Sequence, residues 1–178
     1  MSRLYTVTPA EATGQAAQLF SAIKAAAGTV PNAFATIGSN SPVALKAALE
    51  LDGALRKSSL SHHQIEIIKL AVSAEVGCDY CIAAHTFLGG RAGLPGATMA
   101  ALRGGVPSGD AATDVLARFA RQLVASKGTV PVEEVAAIRA AGYTDAQIID
   151  TLLAIASITF TNLVNRVNDT VLDFPAVD

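Results

Sequence analysis

The chain has 178 residues, room for one well-formed core and little for two, so a single domain is expected. With 51% hydrophobic and 16% charged residues it is more apolar than an isolated soluble surface tolerates, which points to a face covered by another subunit. A net charge of −2 without a Lys/Arg cluster argues against nucleic acid, and Thr6, Thr8, Pro9 and Glu11 stand where a secretory leader would run apolar. A cytoplasmic protein with no membrane partner is expected.

Thr8-Pro9-Ala10-Glu11 combines a cap, a proline and a capping-box glutamate, and predicts a helix start there; Leu19, Phe20 and Ile23 give it an apolar stripe that ends at Gly28. After the turn at Val30-Pro31, a short helix is predicted over 32–37. Ser41-Pro42 opens the next, to about Arg56. Ser61 with Gln64 makes a second capping box, and Ile65, Ile67, Ile68, Leu70, Val72 and Val76 make the following helix apolar on more than one side, the mark of a central element. Gly77 stops it.

A new helix from about Asp79 is predicted to end near Gly89-Gly90 or Gly93, followed by a short one between Leu94-Pro95 and Gly104-Gly105. Helices over about 110–127 and from Val130-Pro131 to Gly142 come next. Thr144 and Gln147 form another capping box, opening the longest helix, which is predicted to reach about Leu172, with 173–175 extended. Its apolar part, 148–164, carries Asp150, Thr151, Ser157, Thr159, Thr161 and Asn162; it reads as too short and polar for a membrane span and as a buried or interface helix. No stretch has strand periodicity, so the class is all-α. Within the single domain 1–178, a core over about 41–105 and a helical part over about 110–172 are expected.

Both cysteines and one of three histidines fall in Cys78-Asp79-Tyr80-Cys81-Ile82-Ala83-Ala84-His85. At 100° per residue, Cys78, Cys81 and His85 share roughly a 60° arc of a helix. Cys78 sits at the helix start, where unpaired N–H groups favour an anion and lower a cysteine's pKa. Sulfurs three residues apart can approach disulfide distance, and His85, a turn beyond Cys81, can act as a base. Glu66, on the preceding helix among Ile65, Ile67 and Ile68, is the best partner for the imidazole. Glu75 is the competitor, nearer the helix end and solvent.

Glu66, eleven residues, then Cys78-x-x-Cys81-x-x-x-His85 resembles the signature of AhpD-like alkylhydroperoxidases in the carboxymuconolactone decarboxylase superfamily. The strings 65–73 and 77–81, with 162–169 and 173–175, are similar to its peroxidase-related branch. The resemblance implies an AhpD-like helical fold in trimers or hexamers, and reduction of small hydroperoxides. Cys81 would attack peroxide, Cys78 resolve, and Glu66 with His85 relay protons. No tightly bound cofactor is implied; an external lipoyl or thioredoxin-type dithiol would restore the pair. Tyr80 departs from the histidine that the best-studied members carry between the cysteines. Its reference pKa near 10 leaves it a donor or a packing group at neutral pH.

Other readings use the same residues. The cysteine pair could sense oxidant without turnover in an oligomer, or hold half a zinc site, for which a fourth ligand is not evident. Glu66 alone could be a solvated partner of Lys69. His62 and His63 read as capping or surface residues, and Asn165, Arg166, Asn168 and Asp169 as intersubunit polar contacts with no catalytic role.

Overall fold

The computed structural model describes residues 2–177, and among them it is all-helical. Nine helices follow in order: α1 Gly14–Ala27, α2 Asn32–Asn40, α3 Pro42–Leu55, α4 His62–Glu75, α5 Asp79–Ala92, α6 Gly96–Gly104, α7 Ala111–Ala125, α8 Val132–Ala140 and α9 Asp145–Asn168. The strong local signals set most boundaries. Ser41 caps α3 through Ala44 N, and both capping boxes, Ser61/Gln64 and Thr144/Gln147, are formed.

Two predicted boundaries are corrected. Thr8 and Glu11 do bond each other, Thr8 Oγ1 donating to Glu11 Oε2 at 2.7 Å and Glu11 N to Thr8 O at 3.0 Å, but only as a turn. Thr13 is extended and Gly14 takes φ +58°, so the turn does not propagate and α1 starts at Gly14. At the other end α9 stops at Asn168, where Asp169 turns left-handed (φ 54°) and its N–H bonds Asn165 O.

α4 is the centre of the molecule. Residues 67–73 are all buried, and α4 packs against α5, α6, α7 and α9. The main core gathers Ile65, Ile68, Leu70, Leu116, Ile138 and Ile158 with both cysteines; a smaller one joins Phe20, Ile23, Ile37 and Leu45 to Phe160 and Val164 of α9. Gly77, at φ +65°, makes the reversal that folds α5 back along α4. Farther along, a Cβ on Gly89 would lie 3.1 Å from Met99 Sδ and 3.2 Å from Leu94 Cδ1, so its bare backbone permits tight packing where Glu66 lies alongside.

At 24 residues, with mean hydropathy 1.5 over its best window, α9 is longer than the 148–164 stretch and passes for a membrane span by length and composition alone, while it packs against α2, α3, α4, α5 and α7. Its inward side mixes apolar residues, Ala154 and Ile158, with polar ones. Thr151, Ser157, Asn162, Asn165 and Asn168 are all buried against the rest of the chain, whereas Ile149, Leu152, Leu163 and Val167 are exposed.

Candidate active site

Cys78 is the N-cap of α5 and Cys81 lies in its first turn. Both are free thiols and only 2% exposed, so they lie under the surface and not in an open cleft. They hydrogen-bond each other, and this bond dominates their acidity. It draws the Cys78 thiol down against the opposing effect of burial, with help from the Arg166 charge; the same bond, then burial, pushes the Cys81 thiol up. The interaction between them therefore favours the anion on Cys78, at the helix start, over Cys81.

Glu66 and His85 meet as the sequence suggested. Glu66 Oε2 is 2.8 Å from His85 Nδ1, with side chains 15% and 12% exposed. Glu75 is elsewhere, paired with Arg121 at 3.2 Å. Lys69 is not the partner of Glu66 either: its Nζ bonds Asp52 Oδ1 at 2.7 Å, and Ser157 Oγ donates to the same oxygen at 2.8 Å. Burial opposes the Asp52 charge, but the Lys69 ammonium and these hydrogen bonds outweigh it and hold the carboxyl below its usual range; the charge of His85 acts in the same direction. No hydrogen bond joins His85 to a sulfur among the described residues; the sulfurs bond each other and α9.

That last contact was not foreseen. Asn165 Nδ2 donates to Cys81 Sγ at 3.2 Å, which favours its ionised form, while the Thr161 hydroxyl donates to Ile158 O at 3.0 Å. Asn165 Oδ1 and Asn162 Nδ2 are buried without partners, so the sulfur lies beside unspent hydrogen-bonding capacity. The expectation that the 165–169 cluster makes intersubunit contacts is corrected for Asn165 and Asn168. Asn168 Oδ1 accepts from the N–H groups of Arg3 and Leu4, and its Nδ2 donates to Thr36 and Thr170. The signal available in sequence was the run of amides in an apolar helix, since buried amides must find partners.

Tyr80 is structural. Its hydroxyl accepts from Ala33 N at 3.2 Å and donates to Asp173 Oδ1 at 2.7 Å, and its ring meets Phe174 edge-on at 5.6 Å. Burial raises its pKa far above neutrality, so it ties the C-terminal segment to α5 and α2 without titrating. His62 begins α4, and His63 Nε2 bonds Ala92 O. Among the described residues, no cluster of three or more His, Cys, Asp or Glu is placed to hold a metal.

Residues 42–122 match the carboxymuconolactone decarboxylase family, which bears out the resemblance read from Glu66 to His85. Among solved structures the fold is similar to an AhpD-core, peroxidase-related protein of Ralstonia eutropha JMP134. That match has a TM-score of 0.84 at 21% identity and covers 97% of this chain and 92% of that one. The debrominase Bmp8 matches with a TM-score of 0.80 at 19% identity over 97% and 93% of the two chains; in another structure it is in complex with 2,3,4-tribromopyrrole. A peroxidase-related protein of Silicibacter sp. TM1040 matches with a TM-score of 0.78 at 20% identity, over 96% and 94%. No curated protein sequence matches the chain.

Proposed function

We propose that the protein is a dithiol-dependent hydroperoxide reductase. The carrying observation is the closeness of the two free thiols Cys78 and Cys81 in the first turn of α5, where each acts on the other's acidity and the two can serve together as a two-electron donor. As Cys81 attacks the distal peroxide oxygen, its proton passes to Cys78. The S–O bond forms and the O–O bond breaks; the leaving alkoxide takes a proton from the Glu66–His85 pair. The Cys78 sulfur then attacks the sulfenic acid of Cys81. An S–S bond replaces S–O, and the departing hydroxide takes the Cys78 proton to give water.

An external dithiol, of lipoyl or thioredoxin type, reduces the disulfide by exchange and is itself oxidised. Cys81 is assigned the attack because Asn165 donates to its sulfur and supports its anion, and because Thr161, one turn before Asn165 on α9, lines a cavity together with Asp52. The exposed apolar residues Ile149, Leu152, Leu163 and Val167 of α9 support a homo-oligomer, and a trimer or hexamer in the cytoplasm is the state proposed with this activity.

The test is steady-state consumption of an organic hydroperoxide with a lipoyl dithiol. Wild type turns over; Cys81→Ser falls to background; Cys78→Ser is oxidised once without turnover. Wild-type rates in Cys81→Ser would overturn the assignment. Stoichiometric oxidation of wild type without turnover would favour a redox sensor.

A further inference from the structure

Two amide atoms on the α9 side of the cysteine pair have no partner among the described residues. Asn162 and Asn165 lie one turn apart on the inward side of α9 and are only 3% and 4% exposed. Asn165 uses Nδ2 on Cys81 Sγ at 3.2 Å, and its Oδ1 is unpaired. Asn162 is its complement: Oδ1 accepts from Ser73 Oγ at 3.2 Å, and Nδ2 is unpaired. Ser73 is fully buried and its carbonyl accepts from Cys78 N at 3.0 Å, so one residue of α4 ties the Asn162 amide to the start of α5. A buried donor and a buried acceptor left open on adjacent turns each cost stability. Together they fit a group that is at once acceptor and donor, and a sulfenic acid, S–O–H, is such a group.

We infer that Asn162 and Asn165 cradle the oxygen that Cys81 acquires, the sulfenic O–H donating to Asn165 Oδ1 and the oxygen accepting from Asn162 Nδ2. The inference rests on the peroxidase reading above and gives Asn162 a catalytic role in its second half. When the Cys78 sulfur attacks Cys81, the S–S bond forms, the S–O bond breaks and the electron pair leaves on the oxygen as hydroxide, which takes the Cys78 proton. Asn162 Nδ2, held by the Ser73 bond, donates to the charge growing on that oxygen; a fixed donor in a buried site is worth most at that moment. Peroxide attack differs, because its charge develops on the departing alkoxide and not on the oxygen that stays with sulfur. Asn162 therefore acts on disulfide formation more than on attack.

The experiment is a single turnover with equimolar hydrogen peroxide and no dithiol, in wild type, Asn162→Leu and, should that variant fold poorly, Asn162→Ala. Intact mass follows the disulfide, dimedone traps the sulfenic acid, and peptide mapping places the adduct. Wild type is expected to pass to disulfide with little adduct. In the variants disulfide formation is expected to slow about 100-fold, the scale of one oxyanion donor, while attack slows far less, so the adduct on Cys81 becomes the main product. Asn162→Ser, which keeps a short donor, should recover part of the disulfide rate.

Equal slowing of both steps, or an unchanged ratio of adduct to disulfide in a folded variant, would overturn the cradle and leave Asn162 a packing residue; an adduct on Cys78 in place of Cys81 would overturn it too. A stalled Cys81 adduct in the variants of a protein that never turns over with a dithiol would support the cradle and remove the peroxidase reading, so the two failures are distinct.

Discussion

One turn of α4 carries two part-buried polar pairs with different physical characters. Glu66 reaches α5 and meets His85; Lys69, three residues later, reaches α3 and meets Asp52, with Ser157 of α9 on the same oxygen. In the first pair a carboxylate oxygen meets an imidazole nitrogen at 2.8 Å, the contact the proposed relay uses. In the second, the ammonium holds the carboxylate ionised, and the pair fixes a charge on the cavity wall. Adjacent positions on one helix thus separate a group that moves charge from one that places it.

Breaking the fixed pair gives the largest effect on stability. Asp52→Asn strands Lys69, itself 7% exposed, and is expected to cost about 3 kcal/mol, lowering Tm by about 6–12 °C for a chain of this size. The double variant Asp52→Asn/Lys69→Met should recover most of that loss. The pH dependence has a defined direction. Because folding lowers the Asp52 pKa, its ionised form stabilises the protein above its unfolded pKa of about 3.9, and this contribution is lost as pH falls through the lower folded value. Thermal melts from pH 7 to 2 should show a weaker acid dependence in the double variant than in wild type; equal acid limbs would show that Asp52 is not held ionised.

Breaking the mobile pair should do the reverse. Glu66→Gln keeps an oxygen that accepts from His85 Nδ1 but cannot be protonated reversibly. It is expected to lower peroxide kcat about 100-fold while changing stability by less than about 1 kcal/mol. If Glu66→Gln lost stability at unchanged kcat, Glu66 would belong with Lys69 as a structural charge.

These pairs were not equally legible in the sequence. Glu66 and His85 are linked by one reversal at Gly77, so helical spacing and a single turn were enough to bring them together. Lys69 carried a usable signal, as a cation among apolar residues must find a partner. Asp52 did not, because the face of α3 turned to α4 is set by packing over a connector whose path local patterning does not fix. The same limit hid Asn165. It stands 84 residues from Cys81, and its amides were read as an outer face because α9 is apolar on its exposed side too. The start of α1 failed for a local reason: Thr8 and Glu11 form their bonds, but an extended Thr13 and Gly14 at positive φ end the turn.

Asn165 gives the smallest effect and extends the comparison to the sulfurs. Its amide is a fixed dipole, like the Asp52–Lys69 pair, but it acts on a group that must change charge. Donation from Nδ2 to Cys81 Sγ favours the thiolate form, while burial and the bond to Cys78 oppose it. Removing the donor in Asn165→Ala takes away about 1.4 kcal/mol of thiolate stabilisation, equivalent to tenfold in ionisation. The pH profile of kcat/KM for peroxide should move about one unit to the alkaline side, with about a tenfold loss at pH 7. Stability should change little, because the lost side chain also carries Oδ1, which is buried and has no partner. A lower Tm with an unmoved profile would make Asn165 a packing residue; a moved profile at constant Tm would place it among the groups that set the charge on Cys81.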